Sequence, residues 1–266
     1  MGSVPVLEPL RGDLATAGVL RLASDERLVQ LVRAGDERAF EVLYDRHHRA
    51  ILAFCRHMLA SRDEGEDVLQ HTFLAAYVAL RSSDQPIDVR PWLFAIARNR
   101  CRSLLRVRRP LSTLESVQTS SEWLVVTVER REDVRELLGD LARLPEEQRA
   151  ALLLAELAAL DHERIAAVLG CRREKVKALV FQARSSLAAT RDARATPCVE
   201  IRVQLASASG AALRRGVLRR HLRDCPGCRA FKRELGRQRE LLALALPVAP
   251  SALLKATVLS GAGAGA

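Results

Sequence analysis

From Asp25 onward the chain repeats apolar residues at helical spacing for most of its length, and this periodicity limits the fold more than any other feature. In "DERLVQLVRAGDERAFEVLYDRHHRAILAFCRHMLA", the residues Phe40, Leu43, Tyr44, His47, Ile51 and Phe54 keep that spacing. Gly35 and "SRDEGED" punctuate the run. A new helix then passes through "DVLQHTFLAAYVAL", with acids at its amino end where the helix dipole favours them. "RSSDQP" reads as a loop, and Pro91 suits the first turn of "PWLFAIARNRCRSLLRVRR". Further on, Val134, Leu137, Leu138, Leu141 and Leu144 form one stripe, and "LPEEQ" restarts a helix through Leu160. The single strand-like run, "WLVVTV", lies in the linker-like segment 110–131, and one run does not make a sheet. The expected fold class is therefore all-α.

A chain of 266 residues can hold two or three small domains, each with its own core. Its formal charge of +10 makes a polyanion the first partner to consider, with acidic membrane surfaces second. Glu8 and Asp13 interrupt the amino terminus, which has no unbroken apolar run and so does not read as a signal peptide. The most apolar piece, "LLALALPVAPSALL", is cut by Pro247 and Pro250, too short to span a bilayer. These features predict a cytoplasmic protein without a membrane partner. Six cysteines in a reducing compartment point to burial, metal binding or redox work rather than a disulfide scaffold. No constellation of nucleophile, base and oxyanion donors appears, so the chain is not expected to be an enzyme.

Two stretches carry nucleic-acid chemistry. From Arg90 to Pro110 there are seven arginines and no acid. Arg98, Arg102, Arg106 and Arg109 share one helix face, while Leu93, Ala97, Cys101 and Leu104 form the apolar stripe. A solvated basic face is the bland reading, but a phosphate backbone relieves the mutual repulsion of such a set. Trp92 and Phe94, at the start of that helix, are expected in the core rather than stacked on bases. The second stretch, "LDHERIAAVLGCRREKVKALVFQAR", has the layout of a helix-turn-helix. Asp161 can cap its first helix, Ile165 and Leu169 face inward, and Gly170 can end that helix in a left-handed conformation. Arg172, Arg173, Glu174, Lys175 and Lys177 surround the start of the second helix, the end that reaches base edges in this motif, and Arg184 follows on the same helix. An ordinary helical hairpin is the alternative.

Together these motifs resemble a bacterial sigma factor of the extracytoplasmic-function type. "DEGEDVLQHTFLAAYVAL" is similar to the family's core-binding helix, and "RPWLFAIARNRCRSLLRVRR" to its minus-ten promoter helix. "LPEEQRAALLLAELAALDHERIAAVLGCRREKVKALVFQAR" is similar to its minus-thirty-five domain. The likeness covers roughly residues 24 to 190 and implies binding to core RNA polymerase and promoter DNA. By the resemblance Asp67 and Gln70 would dock on the polymerase clamp, and Arg98, Asn99 and Arg102 would sit on promoter DNA. The loop "RSSDQPID" would hold a base flipped out during melting. His71, Leu179 and Gln182 depart from the family pattern, the last two by removing positive charge from the recognition helix.

Near the carboxyl end, "RRHLRDCPGCRAF" places His221 and Cys225 four residues apart on one helix face, and Pro226 and Gly227 let Cys228 turn back toward them. A structural zinc takes four tetrahedral ligands, and Cys198 after Pro197 is the candidate fourth. The pattern Cys198, His221, Cys225, Cys228 resembles the zinc-binding anti-sigma family over residues 196 to 240. A redox pair is disfavoured because no strand-helix alternation surrounds it. Cys55, Cys101 and Cys171 are expected as core thiols, and His47, His48, His57, His71 and His162 receive no site.

The expected organisation is an extension (1–23), sigma domain two (24–109), a linker (110–131), sigma domain four (132–190), a zinc module (196–240) and a Gly/Ala-ended tail (241–266). The alternatives are a stand-alone helix-turn-helix regulator sensing zinc or redox state, and a module that sequesters another sigma factor. The "EDVLQHTFLAAY" helix argues for polymerase binding. The short connection "AATRDARATPC" suggests that the module docks on the sigma domains as a brake; its basic residues offer added DNA affinity as the opposite outcome.

Overall fold

The computed structural model describes residues 20–107, 128–207 and 216–246, with positions 253, 254 and 257. Among these residues every regular element is a helix. The chain divides into two compact units, Met1–Leu187 and Ala188–Ala266.

The first unit opens with α1 (Asp25–Arg33), α2 (Glu37–Leu59), α3 (Arg62–Ser82) and α4 (Val89–Val107). Ser24, Asp36 and Ser61 each cap a helix by accepting a backbone N–H, a contact worth about 1 kcal/mol. The break that "SRDEGED" marks is confined to Ala60 and Ser61; from Arg62 the stretch forms the first turns of α3, with Asp63 and Glu64 at its positive end. Helix α3 crosses α2 closely at Gly65: a Cβ there would lie 2.6 Å from Arg56 Cγ and 3.1 Å from the Arg56 backbone nitrogen. Phe54 and Phe94 meet edge to face at 5.5 Å in the centre, beside Leu43 and Ile51. Burying each such side chain contributes about 1.5–3 kcal/mol. Trp92 is half-buried and Phe94 fully buried, as their place beside the apolar stripe suggested.

The same unit continues with α5 (Val128–Ala142), α6 (Glu146–Glu156), α7 (His162–Leu169) and α8, which begins at Arg173. The Asp161 carboxylate accepts the Arg164 N–H at 2.8 Å, and Gly170 ends α7 with φ +64°. Ile165, Val176 and Ala183 close the helix-turn-helix core. Helix α4 packs on α7, and α2 packs on both α5 and α6, so the two halves share one core. The expected stripe on α5 is only half right: Leu141 and Leu144 are buried, whereas Val134 and Leu137 are exposed. Of "WLVVTV" only Val128, the first residue of α5, is described; helix occupies 128–131 of the expected linker, and the rest of 110–131 lies outside the described residues.

Helix α8 runs on to Ala195, so "AATRDAR" is helical and the connection proper is only Thr196 and Pro197. The second unit then holds α9 (Cys198–Ser207), α10 (Gly216–Asp224) and α11 (Pro226–Ala245), each packed on the other two. Its buried core is Ile201, Leu205, Leu218, Leu222 and Cys228, edged by Phe231 and Leu235.

Candidate nucleic-acid interface and metal centre

On α3, Asp67, Gln70, His71, Leu74 and Val78 form an exposed strip, with Leu74 61% and Val78 67% exposed. Gln70 and Leu74 border an apolar groove of about 790 Å³ floored by Phe40, Tyr44 and Phe73. His48 stacks flat on Tyr44 at 4.9 Å along its rim. Of the two expected polymerase contacts, Gln70 lies at this groove and Asp67 one turn away on the same exposed strip. Phe40 and Tyr44 stand out in the sequence only as members of an apolar helix face, and that spacing does not distinguish a groove from an ordinary core.

The basic helix behaves differently from a uniform cationic stripe. Arg98 is buried at 7% exposure and donates to the Asn99 side-chain oxygen at 3.3 Å. Arg102 remains half-exposed and lies 3.8 Å from Glu146, while Asn99 and Arg106 are exposed. Arg109 falls outside the described residues. Glu147, beside Glu146 at the start of α6, accepts from Lys175 at 2.8 Å. Lys175, followed by Arg102 and Arg98, holds the Glu147 carboxyl below the ordinary glutamate range against a small opposing effect of burial. Arg184 pairs with Glu156 at 2.7 Å, and Arg172, Arg173 and Lys177 are exposed at the start of α8. The acids of α6 therefore meet cations from both expected DNA-facing helices. Leu179 is buried, whereas Gln182 is exposed and accepts from Gln148.

The loop between α3 and α4 is tied at both ends. Arg33 donates to the carbonyls of Asp84 and Gln85, and Arg164 of α7 donates to the Asp88 carboxylate at 2.9 Å.

In the second unit, Cys198, His221, Cys225 and Cys228 converge, with their ligand atoms all within 4.8 Å of one another. Cys198 Sγ lies 3.8 Å from Cys225 Sγ and 3.7 Å from His221 Nε2. A tetrahedron with zinc–sulfur bonds near 2.3 Å and a zinc–nitrogen bond near 2.0–2.1 Å has edges of about 3.8 and 3.6 Å, so the donor set fits that ion. His221 Nδ1 donates to the Ala193 carbonyl at 2.8 Å, which leaves Nε2 with its lone pair facing the sulfurs. This partner could not be read from the ligand spacing, since it comes from the last turns of α8. The Cys225 thiol, at the amino end of α11, is drawn down to about 6, chiefly by the Cys228 backbone N–H and then by its neighbours' side chains. Burial pushes the Cys228 thiol up to about 11.

The remaining thiols are not part of this cluster. Cys55 and Cys101 are buried against each other, and the Cys101 contact, followed by burial, pushes the Cys55 thiol far up. Cys171 is half-buried and packs against the core as expected, but from the turn after Gly170 rather than from a helix. His47 is buried and bonded to Asp25 at 2.9 Å.

Two family descriptions match this chain: Sigma-70 region 2 over residues 43–110, and Sigma-70, region 4 over residues 135–187. Among curated proteins it is 31% identical over 173 residues to "RNA polymerase sigma factor NccH" of Alcaligenes xylosoxydans xylosoxydans, covering 62% of this chain and 93% of that one. It is 30% identical over 184 residues to "RNA polymerase sigma-H factor" of Pseudomonas aeruginosa, covering 64% and 94%. The "ECF RNA polymerase sigma-E factor" of Escherichia coli K12 is 29% identical over 180 residues, covering 62% and 92%. A solved structure described as CnrH in complex with the cytosolic domain of CnrY superposes with TM-score 0.50 at 29% identity, covering 64% of this chain and 97% of that one. With both regions in order and more than nine-tenths of these relatives covered, the chain belongs to the RNA polymerase sigma factors of the extracytoplasmic-function type.

Proposed function

We propose that this sigma factor meets core polymerase through the exposed strip of α3 and the apolar groove beneath it, and promoter DNA through α4 and α8. Its function is to direct polymerase to promoters and initiate transcription, a non-enzymatic role. The observation that carries the finer reading is the groove itself: a sizeable apolar surface with Leu74 and Val78 left in solvent asks for a partner. Asp67 and Gln70 supply polar contacts at its edge. On the DNA side, Asn99, Arg106, Arg172, Arg173 and Lys177 are available as the chain stands, and Arg102 once its contact with Glu146 parts. Arg98, Lys175 and Arg184 reach DNA only after leaving their present surroundings, and Arg109 completes the basic set. In this reading the contacts of Glu146 and Glu147 part when the promoter is engaged.

The zinc reading concerns the second unit. Three thiolates and His221 Nε2 hold one zinc ion, which when bound supplies a crosslink between α9, α10 and α11. The preset His221 tautomer and the low Cys225 thiol support it. Docking of this module on the sigma domains is a separate possibility, decided by the experiment below.

The tests are direct. Purified chain should pull down core polymerase and support run-off transcription; Asp67→Lys with Leu74→Ser should abolish the pull-down while leaving helix content unchanged. Specific duplex binding with no polymerase affinity would overturn this reading of the groove. Metal analysis should return one zinc per chain, lost in Cys225→Ser, Cys228→Ser.

A further inference from the structure

The net charge of the chain is not where its DNA-reading motifs are. Fourteen of the 42 Lys and Arg, but only five of the 32 Asp and Glu, fall in Ala188–Ala266, a net of +9 out of +10. The unit that holds both sigma regions is left with +1. Within the second unit the cations converge. Arg219, Arg223, Arg229, Lys232 and Arg233 line a groove of about 420 Å³ between α10 and α11, with Leu222 at its base and no acid in the lining. Arg229 donates to the carbonyls of Leu222 and Arg223 at the end of α10, which fixes one wall. Arg223 lies 3.6 Å from Asp224. Arg219, Lys232 and Arg233 are exposed and have no carboxylate partner among the described residues. Cations held this close repel one another unless an anion enters.

We propose that this groove is a duplex-DNA phosphate contact, so that the zinc module adds electrostatic grip to promoter binding. Three observations favour DNA over the chain's own sigma domains as the occupant. The sigma unit is close to neutral and offers little attraction to a module of +9. A zinc ion with three thiolates removes only one charge from that total. Helix α8, which carries the recognition residues at its start, continues into the second unit and is followed by Cys198 after two residues. Whatever the orientation, the groove stays tethered to the element that finds DNA, at a local concentration of roughly millimolar order. Sequence readout remains with the sigma regions; the groove supplies counterion release, which carries no sequence information. The inference uses the sigma-factor reading only for the presence of promoter DNA.

The test uses full-length, zinc-loaded protein and a fluorescein-labelled duplex of mixed sequence, with anisotropy titrations between 50 and 200 mM salt. If Arg219, Lys232 and Arg233 each neutralise one phosphate, the triple change Arg219→Gln, Lys232→Gln, Arg233→Gln lowers the log–log salt slope by about 2.7. Affinity should then vary about 40-fold less across that salt range than in the parent chain. Arg219→Lys with Arg233→Lys should keep the parent slope, and zinc content and helix signal report that each variant folds. Core polymerase pull-down should be equal for all forms; failure there would concern α3 and leave the groove untouched. An unchanged slope in the triple variant overturns the proposal. Tighter DNA binding by the triple variant also overturns it, and assigns the basic face to docking on the sigma domains as a brake.

Discussion

The two units solve the problem of staying folded in different ways. The first closes a large apolar core in which Leu28, Leu43, Ile51, Phe54, Phe94, Leu154 and Ile165 are almost wholly sequestered. Among its described residues the second closes a cluster of only five apolar side chains, one of them Cys228. Beside that small core stand four convergent candidate ligands from three helices, and in the zinc reading proposed above a bound ion would add the stabilisation that so few apolar contacts lack. Charge follows the same division. The near-neutral first unit pairs its cations with acids, as at Lys175–Glu147, Arg184–Glu156 and Arg164–Asp88. Among the described residues of the second, Arg219, Lys232 and Arg233 meet no carboxylate.

Removal of zinc is the harshest way to probe that contrast. Chelation, or Cys228→Ser, should erase hydrogen-exchange protection across residues 198–245 while residues 25–187 keep theirs. Structural zinc contributes apparent binding energies of about 10–16 kcal/mol in small zinc-dependent peptides, far more than this core supplies. Protection of α9–α11 that survives chelation would remove the distinction between the units.

The converse experiment is Phe54→Ala. Deleting a fully buried aromatic should cost about 3–5 kcal/mol in the first unit. Denaturant titration should show an early transition there, with zinc still bound until the second unit unfolds. Simultaneous loss of zinc would mean that the units fold as one.

Charge pairing offers a milder test. Glu146→Gln with Glu147→Gln removes the acids that meet Arg102 and Lys175. Exposed pairs of this kind are weak, so duplex affinity should rise only about two- to fivefold. No change would mean that these contacts do not compete with DNA.

The smallest effect concerns Asp25. His47, then Arg46, hold its carboxyl below the usual 3.8 despite partial burial. A depressed folded-state value stabilises the first unit above 3.8, and that contribution fades as the pH falls from 3.8 through the lower folded value. Stability measured from pH 5 downward should therefore fall less steeply in Asp25→Asn than in the parent. Equal slopes would remove Asp25 from the acid response.

The sequence by itself determined the helices, the caps at Asp161 and Gly170, and the convergence of His221, Cys225 and Cys228. These follow from rules that act over one to four residues: side-chain periodicity, capping and left-handed backbone at a helix end. It also determined family membership, since the two sigma regions stand in order in the chain. Tertiary structure alone decided which faces are covered. Arg98 is expected on a basic face turned toward DNA, yet it is buried. Helix α4 packs against α7, a contact between segments some seventy residues apart that no local spacing encodes. The same holds for the groove under α3, for Ala193 as the partner of His221, and for the cations gathered between α10 and α11. Helical periodicity says which side of a helix is apolar; only the packed chain says what that side meets.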